Sequence, residues 1–153
     1  SGRPLHEAEV TARLQRALAN AQVKQAVVML ELSLEPSAGS DPGRIVPPRW
    51  LPQDAGVEQD RVMLMVGNAG VQEAQAYQPG QHGIFTYFLL KGMRGAADLD
   101  KNGIVLTGEL CTYVHGQVGA GAQTQSGTTQ ETLCLPAAGD RSPLRGIVVS
   151  RPQ

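Results

Sequence analysis

The chain has 153 residues, 41% of them hydrophobic but only 4% aromatic, and a formal net charge of −1 at pH 7. That length suits a single domain whose core is filled by Val, Leu, Ala and Met rather than by rings. The balanced charge leaves no basic footprint for a nucleic acid, and no apolar run nears the roughly 20 residues that cross a bilayer as a helix.

Pro4 stands where a helix would start, and Val10, Leu14, Ala17 and Leu18 recur at helical spacing up to Asn20. Ala26-Val27-Val28-Met29-Leu30 is a continuous apolar run, expected as a strand buried on both faces in a parallel sheet. Val62-Met63-Leu64-Met65-Val66 is a second. Between them, residues 35–60 hold Pro36, Pro42, Pro47, Pro48 and Pro52 with Gly39, Gly43 and Gly56. This composition carries neither helix nor central strand and predicts a long linker. Trp50 and Leu51 are expected to pin part of it to the body.

After Val66 the chain turns through Gly67-Asn68-Ala69-Gly70 and crosses a polar stretch to Pro79-Gly80. A helix is predicted over 83–93 and a second over 108–118. Residues 119–130, rich in Gly, Ala, Gln, Thr and Ser, lack periodicity and read as a flexible loop. Two short strands, 131–135 and 144–149, complete an α/β pattern whose connections are long enough for parallel crossovers. No signal-peptide pattern is read at Ser1-Gly2, and a soluble domain is expected.

The loop from Asp98 to Glu109 fits the spacing of a twelve-residue calcium loop. Asp98, Asp100 and Asn102 would supply side-chain oxygens, Gly103 the sharp turn, Ile104 a carbonyl and Glu109 a bidentate carboxylate. Leu106 at the ninth position and Gly95 in the entering helix depart from that pattern. The plain alternative is an Asx-rich turn, with Glu109 favoured by the dipole of the helix it opens.

Cys111 and Cys134 are too few and too far apart for a zinc site or a disulfide framework, so buried thiols are expected. His115 stands four residues after Cys111, where the two could share a helix face. A half-buried contact is the expectation there rather than a metal site.

The phrase His82-Gly83-Ile84-Phe85-Thr86-Tyr87-Phe88-Leu89-Leu90, then Gly95-Ala96-Ala97-Asp98, Asn102-Gly103 and Glu109-Leu110, resembles the small-subunit half of prokaryotic caspase-like (metacaspase-type) cysteine peptidases. The likeness extends to Val27-Val28-Met29-Leu30-Glu31-Leu32-Ser33. There the family has a buried strand, an Asp and the nucleophilic Cys. Glu31 stands at the acidic position and Ser33 at the nucleophile's. The histidine phrase of the family, Ser-Gly-His-Gly, has no counterpart; His6 matches nothing, and His82 falls where the family commonly has a non-catalytic histidine.

The resemblance implies a caspase-like three-layer α/β/α fold with a mostly parallel sheet, incomplete in this chain, with 35–60 as the inter-strand linker. It also implies a pseudopeptidase acting in protein–protein interaction or as a regulatory scaffold, since a thiolate nucleophile and its base are both missing. One alternative is a small-subunit-like part of an active endopeptidase whose His and Cys lie in another chain. Another is a calcium-stabilised structural module. The expected partner is an N-terminal caspase-like half or a second copy, pairing along residues 26–32 or through 144–149.

Overall fold

The computed structural model describes Ala12, Arg16 and residues 23–31, 61–68, 74–137 and 141–152. Ala12 and Arg16 are helical; the rest of the first predicted helix, the 35–60 linker with Trp50 and Leu51, and Ser33 lie outside the described residues.

Both apolar runs form strands with the expected bounds, β1 at Ala26–Leu30 and β2 at Val62–Val66. They pair in parallel from Ala26 opposite Val62 to Leu30 opposite Val66. Arg61 anchors the entry to β2 by donating to the carbonyls of Val23 and Lys24 ahead of β1. The third strand of this sheet, β6 (Leu133–Leu135), runs antiparallel to β2, giving the order β1-β2-β6. The described fold is thus mixed α/β, and its main sheet has one parallel and one antiparallel pair rather than a mostly parallel set.

The side-chain alternation of a strand sorts the core into two clusters. Val27, Met29, Met63, Met65 and Cys134 pack with the helices, whereas Val28, Leu30, Leu64, Val66, Leu133 and Leu135 meet on the other face. β2 is buried from Met63 onward, but every residue of β1 is only half-buried. The expectation of burial on both faces therefore holds for β2 and fails for β1, which has a neighbour on one side only among the described residues.

Two minor ladders complete the strands: β3 (Ala76–Tyr77) with β4 (His82–Gly83), and β5 (Val105–Leu106) with β7 (Val148–Ser150). Residues 144–146, expected to begin the last strand over 144–149, instead belong to a 3-10 turn at Pro143–Gly146, because Pro143 and the Ser142 hydroxyl cap favour it. β7 thus belongs to a ladder separate from the main sheet.

Helix α1 (Ile84–Lys91) buries Ile84, Phe85, Phe88 and Leu89 and continues as a π-helical turn over 92–96. Helix α2 (Thr107–Ser126) runs past the predicted end at Val118, so the loop expected over 119–130 is helical as far as Ser126. Burial of Val118 and Ala122, one turn apart on the stripe begun by Leu110, Cys111 and Val114, outweighs the low helix propensity of Gly119 and Gly121. Gly127, with φ 63°, closes the helix in the left-handed conformation.

The two cysteines are not free thiols. Cys111 on the buried stripe of α2 and Cys134 on the helix-facing side of β6 form a disulfide, with Cα atoms 6.4 Å apart. Twenty-three residues separate them in sequence, and only the return of the chain to the sheet edge brings them together. Gln130, fully buried, secures that return: its amide nitrogen donates to the Gly67 carbonyl at 2.6 Å, and its oxygen accepts from Gln75 N at 2.8 Å. Among the described residues no helix is long and apolar enough to cross a membrane.

Candidate functional site

The acidic loop begins where Gly95 ends the π turn. Its φ of 115° is a backbone state open to glycine, so the interruption read from the sequence is a real break between α1 and the loop. Beyond it the chain coils around its own carboxylates. Asp98 accepts from Asn102 N at 3.0 Å with Oδ1 and from Gly103 N at 2.9 Å with Oδ2. Asp100 accepts from Asn102 N and Nδ2 at 3.1 and 2.9 Å, and Asn102 Oδ1 accepts from Ile104 N at 2.8 Å. Lys101 (φ 61°) and Gly103 (φ 80°) supply the left-handed turns that make this possible.

Glu109 closes the loop from the first turn of α2. Oε1 accepts from Leu99 N at 3.0 Å and more weakly from Asp100 N at 3.4 Å, while Oε2 accepts from Leu106 N at 3.0 Å. The last contact is one half of a capping box; Leu106 has no oxygen to return the other half. The loop's tail is held by β5 against β7, and Thr107 N donates to Ile147 O at 2.9 Å.

This winding brings one oxygen each of Asp98, Asp100 and Glu109 within 4.8 Å of one another. Asp98 and Glu109 are half-buried and Asp100 is exposed. Three clustered carboxylates repel, and an acidic cluster of this kind could hold a metal ion, with hard oxygen ligands that suit a hard divalent cation. Of the five expected ligands, these three are assembled. Asn102 Oδ1 is engaged by Ile104 N, so the Asn102 side chain currently serves the turn.

A second arrangement lies at the C-terminal end of β1. Glu31 points at the start of α1, where Oε1 accepts from Phe85 N at 3.2 Å and Oε2 from Thr86 N at 3.3 Å and from the Thr86 hydroxyl. The residue before α1, Gly83, has no side chain to cap it. Glu31 supplies the cap from a distance, and its charge suits the helix N-terminus. Gly83 is required by that approach: a Cβ there would lie 2.1 Å from Glu31 Oε1.

The remaining candidates stand apart from both arrangements. His82 is exposed on β4. His115, also exposed, contacts the Thr132 hydroxyl and carbonyl through Nδ1 at 3.2 and 3.3 Å. The contact is with Thr132 rather than the half-buried pairing with Cys111 that the spacing suggested, and Cys111 is committed to the disulfide. Elsewhere Tyr77, Pro79, Phe88 and Gln125 are among the residues lining an open groove of about 520 Å³.

Sequence reasoning missed the capping role of Glu31, the buried bridge of Gln130 and the Cys111–Cys134 bond. Only the first left a signal: a helix start at Gly83 without a local cap asks for one from elsewhere. Compared with models of protein families, with curated proteins and with solved structures, the chain matches none.

Proposed function

We propose that this chain is a caspase-like pseudopeptidase domain that acts by binding a protein partner. The observation that carries the reading is β1: five apolar residues, all still partly exposed, paired on one side only among the described residues. Such an edge offers a row of unpaired backbone groups to another strand, and it holds no proline or lysine to discourage pairing. The partner is a polypeptide that adds a strand along β1, either an N-terminal caspase-like half or a second copy of this chain.

The chemistry available supports binding over cleavage. Both cysteines are in a disulfide, so the oxidised chain offers no thiolate. The carboxylate at the family's acidic position, Glu31, is spent on capping α1. A hydroxyl such as that of Ser33 would need an oriented base, and the two described histidines are engaged elsewhere or exposed.

Sedimentation velocity on the purified chain tests the partner reading, with a defined assembly as the expected result. A monomer at high concentration, with no second polypeptide, would overturn it. Turnover of substrates with Arg, Lys or Asp at the scissile position, abolished by Ser33→Ala, would instead establish an active peptidase part.

A second reading is favoured by the three assembled carboxylates: a calcium-stabilised loop, in which Asp98, Asp100 and Glu109 hold the ion and Asn102 and Ile104 complete its shell.

A further inference from the structure

The disulfide joins two elements that otherwise make few contacts with each other. β6 is a three-residue strand, half-buried throughout, held by three residue pairs to β2. Apart from the disulfide and the packing of Cys134 on the core cluster, the described hydrogen-bond tie towards α2 is the His115–Thr132 contact just before it. β1 and β2, by comparison, share five pairs in register.

We propose that the Cys111–Cys134 bond is a redox-sensitive clamp that holds the β6 edge of the sheet against α2 and that a dithiol reductant opens. The two residues differ in exposure. Cys111 is 4% exposed within the core cluster, whereas Cys134 is only partly buried on the edge strand. A thiolate of the reductant therefore attacks Cys134 Sγ, the Sγ–Sγ bond breaks, and Cys111 leaves as a thiolate that takes up a proton. The second thiol of the reductant then displaces Cys134 from the mixed disulfide. Two electrons and two protons pass to the protein thiols, and the dithiol departs as its own disulfide.

Opening is local by construction. The backbone pairs from β6 to β2 survive, as do the Gln130 bridges to Gly67 and Gln75 and the Glu31 cap on α1. What is lost is the one covalent anchor of a short edge strand, so β6 and the adjoining part of α2 open more often than the rest. This clamp lies at the opposite edge of the sheet from β1 and does not rest on the partner proposal.

Hydrogen exchange read by mass spectrometry decides the matter on the whole chain, oxidised and after dithiothreitol. The expected result is amide exchange faster by about tenfold or more over residues 132–136 with residues 62–66 unchanged. The double variant Cys111→Ser/Cys134→Ser should show the fast pattern without reductant and no further response to it. If that variant does not fold, the oxidised and reduced native chain still decides. Unchanged exchange at 132–136, loss of protection spreading through β1 and β2, or both cysteines alkylated before any reduction would each overturn the proposal.

Discussion

The Glu31 carboxylate reaches 54 residues along the sequence to the first amides of α1, joining the end of a strand to the start of a helix. Glu31→Ala is expected to cost about 1–2 kcal/mol, the combined scale of a lost cap and a lost charge–dipole interaction, read as a lower urea midpoint. Gly83→Ala, which would place a methyl in the carboxylate's position, should cost a similar amount. Because both act on one contact, the double variant should lose less than their sum, and strict additivity would argue against the shared contact. Tyr113 offers a pH test. Burial, with Tyr87 nearby, raises its phenol above the ordinary value of 10.0. A raised folded-state pKa means that the native chain binds this proton more tightly than the unfolded one. The stability it contributes is full below the unfolded value and declines as pH rises through the folded one. Tyr113→Phe should flatten that alkaline decline, and a slope unchanged by the substitution would remove Tyr113 as its source.

At the scale of elements, the acidic loop links the π turn after α1 to the first turn of α2 through hydrogen bonds its own carboxylates accept. A cation that binds only the folded loop stabilises by mass action, about 2.7 kcal/mol at a hundredfold excess over its Kd. Millimolar calcium is thus expected to raise the melting temperature by several degrees over chelator, and Asp98→Asn to abolish the difference. Coincident melting curves would leave the loop a turn stabilised by its own Asx hydrogen bonds. The start of α2 was readable from the residues, since Glu109 sits where a helix dipole favours acid. Its end was not, because Gly119 and Gly121 mask a buried stripe that only packing against α1 makes worth keeping.

At the scale of the whole molecule, the larger core cluster among the described residues lies where α1 meets the sheet and α2. Phe85, 2% exposed, packs so closely on the turn after β2 that a Cβ on Gly67 would lie 2.7 Å from its ring. Phe85→Ala should cost about 3–5 kcal/mol, measurable by chemical denaturation, since the surroundings can collapse only partly into the space. A loss below about 1 kcal/mol would mean that the cluster around Met63, Met65 and Leu144 repacks freely.

Both long apolar runs, the starts of α1 and α2 and the glycine break before the acidic loop followed from local pattern alone. Their causes are local: β-branched continuity, helical spacing, and a φ that only glycine adopts readily. The clustering of Asp98, Asp100 and Glu109 was likewise legible, because a twelve-residue loop brings its own ends together. What only the tertiary structure decided were the long-range pairings. The antiparallel return of β6, the diversion of the last strand to β5, the Glu31 cap and the Cys111–Cys134 bond each join residues separated by 23 or more positions. No periodicity encodes such a meeting; it depends on how the sheet and helices stack, and the burial gained there settles which distant groups are brought within bonding reach.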